Sequence, residues 1–582
     1  MRAHLRNLRT AVIIPGISLL LLFVSRNQAA AQHLLQAFEF ADLRNQTIFD
    51  ITTDSKNDVY ITGEFDGTID FNPDTNAADT FFLRFELATN PRKQAVFVAK
   101  YSSTGKFRWA FMMAGYSSFV DQAKAICYDG FGHIYVAGQI KSADMDPSSG
   151  TAMFTDRGSF LVKYDTLGNY KWGVHYIGPG EGLDIDVDAS GSVYFTGVFS
   201  GTIDVDAGPA VYNLSATGLG TYLVKYDSAG NLKKALVLTN AFEITGNGVE
   251  VDQNNNVFLA GTFTGLLDVD PSAATATISA NGASDMFLVK YDSAWNYLWS
   301  ISPGDDFIYE YGNCIAVDNS GNIWLGGEFV DSIDMASSGT PMYIPSAGER
   351  DAVIAKYSPD GDLITAFNIG GAYTEVPYAF DIDNGGSLYI AGISGYGCDY
   401  DPSSSTFQVP QTSSTNCFFG KYSPEGNFTW AYAFGGISSD YAYSIKCAGP
   451  AVWVGGNMNQ TGGFLADLDP SSTIFELPAQ GGSDIFLAKY DTLAGSIGIE
   501  DIEEEIAFTL APNPARNNFR ITNLNQRGIT ELEIYNVVGE RIYRTEFREQ
   551  HTTISIENLQ PGIYVVRLKN PEASGQQLLL IQ

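Results

Sequence analysis

The chain has 582 residues and carries 66 Asp and Glu against 34 Lys and Arg, a formal net charge of −32. Hydrophobic residues make up 45% of the chain and aromatic residues 13%, which is enough for a large packed core. A negative charge of this size repels nucleic acids and anionic lipid headgroups, so it argues against both as partners.

The N-terminus has the pattern of a secretory signal peptide. Three arginines precede an apolar run over residues 11–24, and three consecutive alanines end at Ala31. This predicts a signal over residues 1–31 that is cut between Ala31 and Gln32. A retained membrane anchor is the weaker interpretation, because the apolar run is short and Pro15 interrupts it. No later segment is apolar enough over a sufficient length to cross a bilayer.

A repeat follows the signal and dominates the chain. Lys-Tyr pairs recur seven times, about 65 residues apart, within phrases such as FLVKYDTLGNYKWG (160–173). A fixed period of this kind indicates one supersecondary unit stacked on itself. The pairs begin at Lys100, Lys163, Lys225, Lys290, Lys356, Lys421 and Lys489.

Each copy divides into four short strands. An apolar strand runs into a turn such as Asp188–Ser192, and the VYFTG phrase (193–197) follows. The third and fourth strands are clearest in the preceding copy. There, residues 160–164 alternate at the strand period, and a second turn leads to the fourth strand with Trp172. No helical periodicity is found in the mature chain. Seven four-stranded units predict an all-β fold with a seven-bladed β-propeller over residues 32–492.

The two ends of the repeat region complement each other. The seventh copy (485–495) lacks its fourth strand, and QAFEFAD (36–42) resembles the fourth strands at 109–115 and 430–436. The N-terminal strand is therefore predicted to complete the last blade, which removes an exposed sheet edge. An open solenoid gives no reason for these two half-units.

The recurring phrases resemble a known family. The FLxKYDxxGNxxW and DxxGNVYxTG patterns are similar to the SBBP-type bacterial β-propeller repeat, over about residues 33–492. The resemblance implies the propeller architecture and an exported protein, and it implies little about function. The first copy departs from the pattern through a long loop at residues 74–94.

The composition changes at the C-terminus. An acidic linker spans residues 493–506, and residues 507–582 contain alternating apolar strands between Asn-Pro and Pro-Gly turns, which predict a small Ig-like β-sandwich. These phrases resemble the C-terminal sorting domain of type IX secretion cargo. The resemblance implies the type IX machinery as a partner, passage across the outer membrane, and then surface attachment or release. Its motif residues are Pro512, Asn513, Pro514, Gly539, Pro561, Gly562 and Tyr564.

Paired carboxylates follow the second strand of most copies. Residues two apart on an extended chain share one side, so both could approach a hard cation such as calcium. The alternative is that these side chains cap their own turn through backbone hydrogen bonds, and this interpretation is favoured. No cofactor is certain, and calcium is the one candidate. The residues are Asp70, Asn72, Asp144, Asp146, Asp204, Asp206, Asp268, Asp270, Asp399, Asp401, Asp467 and Asp469.

Five cysteines leave at least one thiol unpaired. Cys398 and Cys417 fall in one repeat, near facing ends of consecutive strands, and form the candidate disulfide of this exported chain. The other three fall inside apolar strands and are interpreted as buried thiols.

Catalytic motifs are weak. His133 lies at a hairpin, and no HExxH or GxSxG pattern is present. A glycosidase needs only two acids, but 66 acids give no way to select a pair. Residues that differ between copies are the better candidates for ligand contact, because repetition marks the scaffold. They are Phe81, Phe82 and Arg84 in the first copy and Tyr373, Tyr378, Tyr396 and Tyr400 around the sixth.

We therefore predict an exported cell-surface or secreted β-propeller that acts as a binding or adhesion module for a polysaccharide or a surface protein. A secreted carbohydrate-active hydrolase and a purely structural surface component are the alternatives. Fold alone does not decide among the three.

Overall fold

The computed structural model describes most of the chain from residue 33 onward. The described residues are 33–40, 44–72, 80–85, 94–113, 121–206, 208–239, 242–305, 309–336, 339–409, 415–436, 438–459, 467–470, 475, 482–492, 508–523, 530–536, 541–548, 551–556, 559–569 and 574–581. The predicted signal peptide and its cleavage position at Ala31 and Gln32 lie outside them. All regular elements are β-strands in antiparallel sheets. None of the described residues forms a helix of the length and apolarity needed to span a membrane.

Seven four-stranded sheets account for the repeat region. After β1 (Leu34–Phe40), sheet 1 contains β2 (Gln46–Thr53), β3 (Val59–Phe65), β6 (Ala95–Tyr101) and β7 (Phe107–Met113), with the hairpin β4 (Gly67–Asp70) and β5 (Phe82–Phe85) between its middle strands. Sheet 2 contains β8 (Gln122–Tyr128), β9 (His133–Asp144), β10 (Met153–Asp165) and β11 (Tyr170–Ile177). Sheet 3 contains β12 (Gly180–Val187), β13 (Val193–Asp204), β14 (Asn213–Tyr226) and β15 (Leu232–Leu238).

The next four sheets follow the same order. Sheet 4 contains β16 (Ile244–Val251), β17 (Val257–Phe263), β20 (Asp285–Tyr291) and β21 (Tyr297–Ile301), with the hairpin β18 (Leu266–Asp268) and β19 (Thr277–Ser279). Sheet 5 contains β22 (Tyr311–Val317), β23 (Ile323–Phe329), β26 (Asp351–Tyr357) and β27 (Leu363–Ile369), with the hairpin β24 (Ser332–Asp334) and β25 (Tyr343–Pro345). Sheet 6 contains β28 (Val376–Ile382), β29 (Leu388–Ser394), β30 (Asn416–Tyr422) and β31 (Phe428–Phe434). Sheet 7 contains β32 (Tyr441–Ala448), β33 (Ala451–Asn459) and β34 (Ser483–Asp491), and β1 is its fourth strand.

The first strands of the sheets, β2, β8, β12, β16, β22, β28 and β32, contact one another in succession, and β32 also contacts β2. The second and third strands are buried in the part that pairs within the sheet, as in β3 and β6, because neighbouring sheets cover both of their faces. This burial explains why these strands read as continuous apolar runs in the sequence. The ends of β10, β13 and β14 that extend beyond the sheet are more exposed.

The repeated lysine joins neighbouring sheets. The Lys163 ammonium lies 3.2 Å from the Asp129 carboxylate of its own sheet and donates to the Ser228 carbonyl of sheet 3 at 3.2 Å. Lys489 of sheet 7 makes the same donation to the Ser103 carbonyl of sheet 1 at 2.6 Å. Lys290 and Lys356 donate in the same way to the next sheet, so four of the seven repeated lysines join neighbouring units. Lys100, Lys225 and Lys421 bond a carboxylate of their own sheet.

The strand β1 packs on sheet 1 as well as pairing with β34. The Phe40 ring lies 5.7 Å from the rings of both Phe71 and Tyr101, between centroids, and its side chain is only 1% exposed. The first strand of the described chain thus shares a hydrophobic core with sheet 1, across the boundary between the two ends of the repeat region.

The C-terminal residues form two sheets with one shared hydrophobic core. One contains β35 (Phe508–Ala511), β36 (Asn518–Asn523) and β39 (His551–Ser555), and the other contains β37 (Thr530–Tyr535), β38 (Arg541–Phe547), β40 (Gly562–Lys569) and β41 (Ser574–Ile581). Phe519 and Leu532 lie at the centre of this core and are fully buried.

Candidate functional site

Every first strand contains one β-bulge at the same position. The register of each strand with its neighbour shifts by one residue there, which leaves a single residue without a partner. A bulge of this kind turns a side chain away from the alternation of the strand. We call the seven unpaired residues the bulge ring; they are Phe49, Lys124, Leu183, Asn247, Asn313, Tyr378 and Tyr443 in sheets 1 to 7.

All seven bulge-ring residues line one cavity of about 230 Å³. The other lining residues also belong to the seven first strands. The ring differs in chemistry from sheet to sheet, whereas the strands that carry it repeat. It is therefore the place where the repeated scaffold presents variable side chains to a common space.

Aromatic side chains occupy one arc of the ring, on sheets 6, 7 and 1. The Tyr378 and Tyr443 ring centroids are 5.1 Å apart, and Phe49 lies 5.6 Å from Tyr443. Tyr441 stacks on Tyr443 at 5.5 Å with an interplanar angle of 2°. We call Phe49, Tyr378, Tyr443 and the stacked Tyr441 the aromatic arc; Tyr441 supports the arc and does not itself belong to the bulge ring or to the cavity lining.

The hydroxyl groups of the arc differ from those of the repeated tyrosines. Each repeated tyrosine donates a hydrogen bond of 2.5 to 3.0 Å to a backbone carbonyl in the loop after the second strand. Tyr378, Tyr441 and Tyr443 make ring contacts, and their hydroxyls have no hydrogen-bond partner among the described residues. Burial raises the pKa of Tyr378 and Tyr443 above the usual value, so both remain neutral donors.

Two carboxamides lie on another arc of the ring, on adjacent sheets. The Asn247 amide nitrogen donates to the Gly312 carbonyl at 2.7 Å, which leaves the Asn247 side-chain oxygen as an acceptor. The Asn313 amide nitrogen is buried and has no partner in the described structure. A buried donor without an acceptor costs about 1–3 kcal/mol, so Asn313 is a group that a bound ligand could satisfy.

Lys124 is the charged member of the ring. Its ammonium lies 3.8 Å from the Phe49 ring centroid, and 3.7 Å from the Glu181 carboxylate of sheet 3. The lysine thus covers one end of the aromatic arc while its charge is partly balanced.

Carboxylates lie further along the first strands and bond neighbouring sheets. Asp184 and Asp186 of sheet 3 accept the backbone N–H groups of Val249 and Val251 in sheet 4, each at 2.8 Å. Asp381 of sheet 6 binds two consecutive residues of sheet 7: it accepts from the Lys446 ammonium at 2.8 Å and from the next backbone N–H at 2.6 Å.

Asp50 connects three sheets. It accepts from the Ile126 N–H of sheet 2 at 2.8 Å and from the Ser444 hydroxyl of sheet 7 at 2.8 Å. Burial raises the pKa of Asp50 to about 6 and that of Asp186 to about 6, because the charged form loses its water. Glu250 also lines the cavity and makes no side-chain hydrogen bond to the described residues, and burial raises its pKa well above the usual range.

The predicted carboxylate pairs act on their own loops. The first residue of each of the six pairs accepts two backbone N–H groups of the same loop through its carboxylate, at 2.8 to 3.1 Å. The single carboxylate Asp334 of sheet 5 does the same. The second carboxylates Asp146, Asp206, Asp270 and Asp401 each accept one further N–H. Within the described ranges, no group of three or more His, Cys, Asp or Glu is arranged to hold a metal ion. This geometry agrees with the turn interpretation, and calcium binding stays a prediction.

The candidate disulfide is not formed. All five cysteines are free thiols, and Cys398 and Cys417 are both buried. Cys417 packs in a core with Phe419, and Cys398 in a different core with Phe418. Since neighbouring strand residues face opposite sides of a sheet, the two thiols lie on opposite faces of sheet 6 and cannot meet.

The structure separates the other predicted contact residues. Tyr378 belongs to the aromatic arc, whereas Tyr400 is fully buried with its hydroxyl 2.6 Å from that of Ser394. Tyr373, Tyr396 and Phe81 are exposed on loops, and Phe82 is exposed at the start of β5. Arg84 lies on β5 beside that pair. His133 bonds the turn residue Asp129 at 2.9 Å, as a turn histidine would. Phe49, Tyr443 and the two asparagines were missed, because a bulge leaves no pattern in a single sequence.

The tail motifs surround the start and end of the C-terminal core. Pro512, Asn513 and Pro514 follow β35, where the Asn513 side chain accepts from the Leu580 N–H at 2.9 Å. Pro561 precedes β40, Gly562 begins it, and Tyr564 is buried with its hydroxyl donating to the Gln560 carbonyl at 2.7 Å. Gly539 lies outside the described residues.

Residues 509–582 match the family described as "Secretion system C-terminal sorting domain". A sorting domain of this type indicates export through the type IX secretion system. The chain is an exported cell-surface protein.

The chain also has more distant similarities. It is 25% identical over 368 residues to the uncharacterized WD repeat-containing protein L264 of Acanthamoeba polyphaga mimivirus, which covers 53% of this chain and 26% of that protein. The chain thus spans about a quarter of the length of this relative.

Three solved structures resemble the chain at low TM-scores. A protein of unknown function from Bacteroides caccae has 9% identity and a TM-score of 0.30, covering 58% of this chain and 89% of that one. A fungal alcohol oxidase of the AA5 family has 11% identity and a TM-score of 0.36, covering 95% and 100%. PorZ, a surface component of the type IX secretion system of Porphyromonas gingivalis, has 12% identity and a TM-score of 0.17, covering 94% and 100%. TM-scores below 0.5 carry no information about function here.

Proposed function

We propose that the seven sheets are the blades of one closed seven-bladed β-propeller of the SBBP-repeat type, carried to the surface by an Ig-like sorting tail, and that it binds ligands without transforming them. The closure is supported by bonds between the ends of the repeat region: Lys489 to the Ser103 carbonyl, and Ser444 to Asp50. The packing of Phe40 against sheet 1 supports it as well.

One observation carries the binding function: seven equivalent bulges present side chains of five different types to a single cavity. A structural component would have no need to vary the ring while keeping the bulge. Ligand sites typically combine aromatic walls with a few placed polar groups, and the aromatic arc and the two asparagines have that composition. The ligand class is a polysaccharide or a surface protein.

The cavity favours binding over hydrolysis. Glycoside hydrolysis commonly uses two carboxyl groups that are free to act on opposite sides of the bond. Asp50, Asp184, Asp186 and Asp381 are engaged with backbone N–H groups of the neighbouring sheet, which leaves Glu250 without an acidic partner of equal freedom.

The test uses the mature exported protein on a panel of soluble and insoluble polysaccharides and on intact cells stripped of the protein. It measures both the protein retained and the reducing ends released. We expect retention without release. Release of reducing ends that is lost in Glu250→Gln would replace binding with hydrolysis, and no retention on any surface would leave the structural role.

A further inference from the structure

We infer that the bulge ring binds the terminal unit of a neutral glycan, with one pyranose ring held between the aromatic arc and the asparagine pair. This inference rests on the proposed binding function and specifies its ligand.

The size of the cavity limits the ligand to one small unit. Its volume of about 230 Å³ lies below the roughly 300–1,000 Å³ of pockets that take drug-sized molecules. Strands of all seven sheets surround it, so a long chain cannot cross it sideways. A chain end can enter, and this favours recognition of a terminal residue over an internal one.

The aromatic arc provides a stacking surface for such a unit. A pyranose has an apolar face of C–H groups and an edge of hydroxyls, and aromatic rings pack against the apolar face. Tyr378 and Tyr443 line the cavity and have hydroxyls without a protein partner, so they can pack through the ring and bond through the hydroxyl. Tyr378 and Tyr443 differ in this respect from the tyrosines of the repeated Lys-Tyr phrase, whose hydroxyls all donate to backbone carbonyls.

The asparagine pair matches the polar edge of the sugar. Asn247 has its nitrogen bonded to Gly312 and presents an acceptor, while Asn313 has a buried nitrogen without an acceptor. A hydroxyl both donates and accepts, so neighbouring hydroxyls of one pyranose can satisfy the two groups together. A buried donor that gains its only partner on binding contributes strongly to specificity, because an analogue lacking that hydroxyl leaves it unpaired.

The charge around the cavity selects against acidic sugars. Asp50 and Asp186 line it, and their pKa of about 6 leaves them ionised at neutral pH, whereas burial shifts the pKa of Asp184 and Glu250 well upward, toward the neutral form. The lysines in its lining are Lys446, which is paired with Asp381, and Lys124, which lies beside Glu181. The chain as a whole has a net charge of −32. A uronic acid or a sialic acid would enter this field at a cost, whereas a neutral hexose or N-acetylhexosamine would not.

The test is calorimetric titration of the mature protein with a panel of neutral tetrasaccharides of the common hexoses, pentoses and N-acetylhexosamines, and with oligogalacturonate as the acidic probe. Where a linear glucan binds, a cyclic glucan of the same linkage serves as a probe without a chain end. We expect a linear neutral oligosaccharide to bind, and the cyclic and acidic probes to bind at least about tenfold more weakly.

Two substitutions locate the site. Tyr378→Ala should weaken binding about 10- to 100-fold, as truncation of a central aromatic anchor does, while Tyr373→Ala on an exposed loop should leave it unchanged. Asn313→Leu should weaken binding about tenfold or more and should leave the midpoint of thermal unfolding equal or higher, because it removes a buried unpaired donor. Leu183 already occupies the equivalent position in sheet 3, so a leucine fits this ring.

The outcomes separate the inference from the proposed function. A neutral oligosaccharide bound with these losses supports the inference. Retention on a polysaccharide or a cell surface that is unaffected by Tyr378→Ala and Asn313→Leu overturns the inference and leaves the binding function. Tighter binding of the acidic probe, or of the cyclic one, also overturns it. If the protein is retained by no probe and no surface, both fail.

Discussion

The substitution Phe40→Ala tests whether the N-terminal strand holds the two ends of the repeat region together. Phe40 lies on β1, the fourth strand of sheet 7, and its ring contacts Phe71 and Tyr101 of sheet 1 at 5.7 Å between centroids. The side chain is 1% exposed. Truncation leaves a cavity between the two sheets and removes both ring contacts, while Phe38 of the same strand keeps its own contact with Tyr101 at 5.9 Å.

The expected cost is about 3–5 kcal/mol of unfolding free energy, the usual range for a buried phenylalanine changed to alanine. The global unfolding free energy falls by this full amount only if β1 unfolds together with the sheets. If the strand instead detached first, as a frayed terminus does, the global unfolding free energy would change by less than about 1 kcal/mol.

The assay is urea unfolding of the mature protein followed by tryptophan fluorescence. Phe434→Ala is the matched control, since Phe434 ends the fourth strand of sheet 6, is 4% exposed and packs on Phe486 of sheet 7 at 5.2 Å. Phe131→Ala, at an exposed turn, should cost nothing. We expect Phe40→Ala and Phe434→Ala to lower the midpoint by similar amounts. A Phe40→Ala midpoint equal to that of the unsubstituted protein would refute the closed ring.

Three further predictions concern the buried carboxylates, the loop carboxylates and the cysteines. Because burial raises the pKa of Asp50 and Asp186 to about 6, the unfolded state releases their protons first, and stability should fall as the pH rises from about 4 to 6, by at most about 3 kcal/mol for each group. Urea midpoints should decline across this range, and they should decline less steeply in Asp186→Asn, which keeps only Asp50. Equal slopes for the two proteins would contradict the assignment of Asp186. Asp268→Ala should lower the free energy of unfolding in calcium-free buffer by about 1–2 kcal/mol, since two backbone N–H groups lose their acceptor. If a chelator lowers the melting temperature of the unsubstituted protein, the carboxylates bind calcium instead of acting only within their loops. Thiol titration of the denatured, unreduced protein should count five thiols, and a count of three would restore the disulfide between Cys398 and Cys417.

The strands of the protein could be predicted from the sequence because the same strand and turn phrases recur at equivalent positions in every copy. The Lys-Tyr phrase marks the third strand seven times. Residues 36–42 resemble a fourth strand, which the seventh copy lacks, and this predicts the observed pairing of β1 with β34. The role of the lysine could not be predicted, since its acceptor carbonyl lies about one repeat further along the chain.

The candidate site could not be predicted from the sequence, and the reason is physical. A bulge residue such as Asn313 occupies a position defined by a shift in register, and register is a property of two strands together. Of the predicted contact residues, Tyr378 lies in the lining of the cavity, and it was selected because it differs between copies. Tyr400 differs between copies as well and is a core residue. The disulfide prediction failed for a similar reason: strand ends can face each other while their side chains point to opposite faces of the sheet.

The most direct test of the account is to block the cavity chemically. Leu183→Cys places a thiol in the bulge ring, and Leu167→Cys places one on an exposed turn, where the native leucine is 75% exposed. Burial raises the pKa of all five native thiols, which lowers their reactivity. Cys127 and Cys314 also line the cavity, so both are changed to Ala in the two variants. After treatment with a bulky methanethiosulfonate reagent, retention on the bound polysaccharide or cell surface should be lost for Leu183→Cys and kept for Leu167→Cys. Full retention by the modified Leu183→Cys protein would show that ligands bind elsewhere and would contradict the account.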